Sequence, residues 1–166
     1  MTARRIHVAV VGGGEAEDDT RGRAEAVGEA LARRGALLVC GGLGGVMEAA
    51  CRGAHAAGGT TLGILPGADR RAANPFVDVV VPTGMGEARN ALVVLCADAL
   101  VAVGGEFGTL SEIALALRNG KPVVGLDTWE LRRHGRAVDA IVPATSPEQA
   151  VDLALALAAA TPGDTL

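Results

Sequence analysis

Ala99-Leu100-Val101-Ala102-Val103-Gly104-Gly105-Glu106-Phe107-Gly108-Thr109-Leu110-Ser111-Glu112 is the stretch whose reading decides the fold. Its first five residues are apolar at every position, the pattern of a parallel strand covered on both faces. A glycine cluster follows at once, and behind it a segment of helical period over 109–118. The same order occurs twice earlier, where 6–11 runs into Gly12-Gly13-Gly14 and 37–40 into Gly41-Gly42-Leu43-Gly44-Gly45. Further strands are predicted at 61–65, 77–81, 123–126 and 140–142, with helices at 20–34, 46–57, 87–96 and 147–160. The last helix carries Ser146, Pro147 and Gln149 in a capping-box pattern. The chain reads as an α/β protein with one mostly parallel sheet of about seven strands and helices on both faces. That is a three-layer sandwich in a single domain over 1–166.

Open parallel sheets bind ligands in the crevice at the carboxyl ends of their strands. Three of those ends carry glycine clusters here, and helices starting beside them turn backbone N–H groups toward an anion. One such cluster would signify only a tight turn. Three on one edge point to a nucleotide or phosphate crevice.

Composition narrows the partners. Of 166 residues 49% are apolar and 20% charged, an ordinary globular balance that excludes a disordered chain. The net charge of -4, the absence of Tyr and the presence of only two Phe and one Trp leave neither the basic face nor the stacking platforms of a nucleic-acid reader. Cys40, Cys51 and Cys96 are three in number without CxxC spacing, which argues against a disulfide framework or a zinc cage and for a reducing compartment. His7, His55 and His134 lack ligand spacing, so no metal is expected. The apolar run at 6–11 is too short for a leader or a membrane span, and a cytoplasmic protein without membrane contact is expected.

Known glycine motifs fail one by one. Gly42-Leu43-Gly44 is followed by Met47 where a dinucleotide fingerprint needs its third Gly, and the second strand ends without the acidic ribose partner. Gly120-Lys121 is followed by Pro122, so it is not a P-loop, and that setting also disfavours Lys121 as a pyridoxal lysine. Ser111 and Ser146 are the only serines, and neither stands in a nucleophile elbow.

The stretch Gly84-Met85-Gly86-Glu87-Ala88-Arg89-Asn90, followed by Gly104-Gly105-Glu106-Phe107-Gly108-Thr109-Leu110-Ser111-Glu112, resembles the LONELY GUY phosphoribohydrolases and their wider Rossmann-like group. That group includes proteins misnamed lysine decarboxylases and the molybdenum cofactor carrier proteins. It pairs an Arg at the start of one helix with a PGGxGTxxE motif, and Arg89 and Glu112 keep the family interval of 23 residues with Asp98 between them. Gly41-Gly42-Leu43-Gly44-Gly45-Val46-Met47 matches the first glycine loop, and the likeness runs from Val8 to about Leu126.

The resemblance implies hydrolysis of the N-glycosidic bond of a nucleoside 5'-monophosphate, without metal or organic cofactor. Cleavage builds positive charge on the sugar, so a carboxylate under the anomeric carbon, Glu112, stabilises the transition state and orients water. Arg89 would hold the anionic substrate. The ligand-holding set implied is Gly13, Gly42, Gly44, Gly45, Met85, Asn90, Gly104, Gly105, Gly108 and Thr109. Taken alone, Thr109-x-x-Glu112 also fits a capping box, Arg89 an ordinary first-turn residue and Met85 a core plug.

Departures from the family pattern favour a second reading. The family Pro is Gly104, the Lys after its Arg is Asn90, a Gly after Met47 is Glu48, and the second Gly of the phosphate loop is Glu106. Glu48 sets the chain apart from the established hydrolases, in a bacterial branch of the group. A carboxylate ~4 Å from a phosphate charge costs about 4 kcal/mol at an effective dielectric near 20. Glu106 therefore points outward, or sits in a loop that holds no phosphate, or serves as a second catalytic carboxylate. The alternative function is a non-catalytic carrier of a nucleotide or of a pterin-type phosphate such as molybdenum cofactor. Relatives assemble as dimers or larger, so the resemblance also implies a homo-oligomer, dimer or tetramer.

Overall fold

A computed structural model describes residues 4–161. Strand β1 (His7–Gly12) stands near the middle of a seven-stranded sheet. To one side lie β2 (Leu37–Cys40), β3 (Thr60–Leu65) and β4 (Val79–Pro82). To the other lie β5 (Ala99–Val103), β6 (Val123–Leu126) and, after a small hairpin of β7 (Arg132–Arg133) and β8 (Arg136–Ala137), β9 (Ile141–Pro143). The order is β4-β3-β2-β1-β5-β6-β9 and every neighbouring pair in it is parallel. The chain winds outward from β1 to β4 and restarts on the far side of β1 at β5. The switch point between β1 and β5 is where an open α/β sheet leaves a crevice.

Alternation along each strand divides the core. Val8, Val10, Val101 and Val103 pack under α1 (Asp18–Arg33), α2 (Val46–Ala56) and α5 (Pro147–Ala160). Ala9, Val11, Leu100 and Ala102 pack under α3 (Asn90–Leu95) and α4 (Phe107–Arg118). Both faces are buried, as the unbroken apolar strands required. α1 and α2 meet backbone to backbone: a side chain at Gly28 would stand 1.9 Å from the Ala50 carbonyl, and one at Gly53 would stand 1.9 Å from that of Glu25. With so few aromatics, this close approach is how an Ala-rich pair reaches interior packing density.

Several boundaries differ from the sequence expectation for identifiable reasons. β4 begins at Val79 rather than at 77, because Thr61 binds the preceding segment through side chains: its N–H donates to Asp78 Oδ2 at 2.8 Å and its hydroxyl to the Phe76 carbonyl at 2.7 Å. The helix expected over 87–96 is a 3₁₀ turn at Gly86–Arg89 followed by a six-residue α3. Lys121 Nζ, on the Gly-Lys-Pro turn, donates to the Leu95 carbonyl at 3.0 Å and so closes the end of α3. α1 starts at Asp18, where two acids meet the positive end of the helix dipole. α4 starts at Phe107, two residues early, which puts Thr109 and Glu112 inside the helix and dissolves the capping box read there. The box at α5 forms its first half, Gln149 N–H donating to Ser146 Oγ at 3.2 Å. The hairpin was not anticipated; His134 (φ 51°) and Gly135 (φ 77°) make its turn. Among the described residues no helix is long and apolar enough to cross a membrane.

Candidate functional site

The switch point holds a crevice of about 210 Å³. Of the residues singled out in the sequence, Gly13, Arg89, Asn90, Glu106, Gly108, Thr109 and Glu112 line it together. They come from four places: the end of β1, the 3₁₀ turn with the head of α3, the turn after β5, and the first two turns of α4. Among the described residues no aromatic side chain lines it.

Arg89 is 7% exposed although it is a cation on a short surface turn. Its Nη2 donates to the Gly41 carbonyl at 3.3 Å, its Nη1 to Asn90 Oδ1, and its Nε is buried without an acceptor among the described residues. Asn90, standing where the family has Lys, thus orients the guanidinium instead of adding a second charge. A half-satisfied buried cation calls for an anion.

Glu112 sits inside α4 and is also 7% exposed. Its side chain makes no hydrogen bond to another described residue. Burial pushes its carboxyl up to about 7, opposed by the Arg89 charge and reinforced by that of Glu87. At neutral pH the group is poised between acid and base, the condition for moving a proton. The crevice therefore joins a fixed cation, a titrating carboxyl and, in the first turn of α4, the N–H groups of Gly108 and Thr109, which lack intrahelical acceptors.

The other glycines shape the crevice rather than line it. Gly104 (φ 56°) and Gly105 (φ 108°) turn the chain from β5 into α4, and a side chain at Gly105 would lie 2.5 Å from Thr109. Gly45 (φ 64°) brings the Val46 N–H onto the Gly13 carbonyl at 3.0 Å, so the first N–H of α2 is taken by the β1 turn. Gly42 (φ 76°) and Gly44 lie behind this contact. Met85 is 49% exposed and is not among the lining residues. Glu106 caps α4 by position only, is exposed, and lines the crevice at its mouth.

Sequence reasoning missed Gly41 as the anchor of Arg89, and Glu87 as a second carboxylate at the rim. Gly41 had a signal, since a side chain there would stand 2.6 Å from Arg89 Nη2, but only the folded chain shows the neighbour. Asp98, part of the family interval, lies away from the crevice: it accepts from the His7 N–H at 2.9 Å and from Arg4 at 2.7 Å. Cys40 and Cys51 are buried with sulfurs 3.4 Å apart, and Cys40 Sγ takes the Gly42 N–H at 3.3 Å, bracing the glycine loop from below.

A parallel sheet with a glycine-walled crevice at its switch point, holding one cation and one buried carboxyl, defines a Rossmann-like α/β protein. Residues 5–151 match the SLOG cluster4 family, and the chain belongs to that family. A protein of Archaeoglobus fulgidus, described as uncharacterized, is 46% identical over 121 residues, covering 73% of this chain and 80% of its own. The molybdenum cofactor binding protein of Rippkaea orientalis superposes with a TM-score of 0.83 at 35% identity, covering 93% of this chain and 98% of the other. The Moco carrier protein of Chlamydomonas reinhardtii does so at 0.82 and 35%, covering 95% of this chain and 100% of the other. The likeness to the LONELY GUY and carrier group read from the sequence therefore holds at the level of family and fold.

Proposed function

We propose that the protein binds a small phosphate-bearing ligand in the crevice, with the phosphate on the head of α4 and Arg89, and cleaves the N-glycosidic bond of a nucleoside 5'-monophosphate. The observation that carries this reading is the poise of Glu112, a buried carboxyl near 7 open to the crevice and beside a cation. Its ionised form stabilises the developing sugar cation and orients water; its protonated form serves the leaving base. Neither role draws on a metal or organic cofactor.

A second reading, a carrier that holds a nucleotide or molybdenum cofactor without turnover, draws on the two solved relatives described as cofactor-binding and carrier proteins. Glu106, replacing a glycine in the phosphate loop, also favours it. Incubation with a panel of nucleoside monophosphates discriminates the two. The hydrolase releases free base, and Arg89→Ala and Glu112→Ala abolish release. Tight binding without release, indifferent to Glu112→Ala, assigns the carrier role. We further propose a homo-oligomer, dimer or tetramer, in which exposed Val79, Val81, Met85 and Leu95 are covered by other copies.

A further inference from the structure

Two thiols lie beneath the crevice and take no part in the chemistry proposed for it. Cys40 ends β2 and Cys51 stands in the second turn of α2, both fully buried, with sulfurs 3.4 Å apart. A disulfide holds its sulfurs at about 2.05 Å, so the pair is about 1.35 Å short of a bond. The crevice reaches Gly41, one residue from Cys40, and so brings a small oxidant close to the pair. The third cysteine, Cys96, is exposed at the end of α3.

The two thiols are not equivalent. Cys51 donates to Cys40, and this contact, with the Gly42 N–H and the Arg89 charge behind it, holds the Cys40 thiol below its ordinary value against the cost of burial. The same contact and burial push the Cys51 thiol up. Cys40 is therefore the sulfur that meets an oxidant as thiolate, while Cys51 keeps its proton until a bond forms. Cys40 Sγ also accepts the Gly42 N–H at 3.3 Å, and Gly41 between them holds Arg89 through its carbonyl. A bond to Cys51 draws that sulfur off the Gly42 N–H and moves the residue that anchors the guanidinium.

We infer that Cys40 and Cys51 form a reversible redox-modification site, closed to a disulfide by a peroxide and coupled to the crevice through the glycine loop above them. The Cys40 sulfur attacks one oxygen of hydrogen peroxide, the O–O bond breaks, one water leaves and Cys40 becomes a sulfenic acid. The Cys51 sulfur displaces that hydroxyl, which departs with the Cys51 proton as a second water. Two electrons have passed from the sulfurs to the peroxide, and a dithiol reductant returns them. In a reducing compartment such a bond is transient and serves as a sensor. The bond itself owes nothing to the reading of the crevice; its effect on a nucleotide rests on that reading.

The full-length protein is treated with hydrogen peroxide, unfolded, alkylated and digested with trypsin, which leaves both cysteines in the peptide 35–52 and Cys96 in another. That peptide is expected to be lighter by two hydrogens and unalkylated, and dithiothreitol is expected to restore both thiols. Deuterium exchange over 41–45 should rise about tenfold on oxidation, and in Cys51→Ala it should not respond to peroxide. A nucleoside monophosphate bound by the reduced protein should bind about tenfold more weakly to the oxidised one. Two alkylated thiols after peroxide, oxygen added to sulfur in place of the S–S bond, or unchanged exchange over 41–45 in the oxidised protein would overturn the inference. A reduced protein that binds no nucleotide defeats the crevice reading, while the peptide mass and the exchange still decide this one.

Discussion

Arg89 reaches across 48 positions of sequence to donate its Nη2 proton to the carbonyl of Gly41, and Gly41 has no side chain because the guanidinium occupies that space. A Cβ at Gly41 would stand 2.6 Å from Nη2 and 2.8 Å from Met47 Sδ. Both obstacles are ends of flexible side chains. Gly41→Ala is therefore expected to fold, at a cost of about 1–3 kcal/mol, and to push Arg89 off its anchor. Calorimetric titration with a nucleoside monophosphate should show at least about tenfold weaker binding. Unchanged affinity would mean that the Arg89 position is immaterial.

Glu112 holds its proton more tightly in the folded chain than in the unfolded one, about 7 against an ordinary 4.5. Between those values the native state binds more protons, so this group's contribution to stability falls as pH rises through the window, by about 3 kcal/mol in total. Urea unfolding of the native protein from pH 4.5 to 7.5 is compared with Glu112→Gln, which should lack this share of the slope and be the more stable of the two above neutrality. Parallel stability curves would contradict the assigned titration.

Glu106 lines the crevice mouth at the turn from β5 into α4. Glu106→Gln is expected to tighten binding of a nucleoside monophosphate several-fold at low salt, with the gain shrinking at high salt as screening sets in. The corresponding uncharged nucleoside should not respond. A gain for both ligands would point to a steric effect instead.

Gly28 tests the close crossing of α1 and α2. Its missing side chain would lie 1.9 Å from the Ala50 carbonyl, and a backbone atom in a packed helix cannot yield as a side chain does. Gly28→Ala should cost at least about 3 kcal/mol in chemical denaturation. The exposed Gly22, which has nothing within 4 Å of its would-be Cβ, serves as the control, and Gly22→Ala should be neutral or slightly stabilising.

Leu95 is 57% exposed at the end of α3. Light scattering at micromolar concentration should show a dimer or tetramer, and Leu95→Asp should shift it toward smaller species. A monomeric native protein would exclude this assembly.

The strands and the three glycine turns were legible because a parallel strand buried on both faces needs apolar residues throughout, and a tight turn into a helix needs glycine. Val101 and Gly104 show this directly. Thr61 shows where legibility stopped. Its hydroxyl and N–H hold the segment at 76–78 by side-chain bonds, so residues with strand composition lie outside the ladder. The hairpin at Arg132–Ala137 was hidden because four of its six residues are charged or His, and its His134-Gly135 turn is a weak signal without a flanking apolar alternation.

For the crevice, the interval between Arg89 and Glu112 was readable, since local spacing along a helix, a strand and a turn is a property of the chain itself. What the amino-acid order determined was the sheet, its glycine edge and the residues available there. Only the folded chain decided that the Gly41 carbonyl would seize Arg89, that Glu112 would lose its water and titrate near 7, and that the first N–H of α2 would be taken by the Gly13 carbonyl. Desolvation and the meeting of distant backbone atoms depend on how layers pack together, and no local stretch of sequence carries that information.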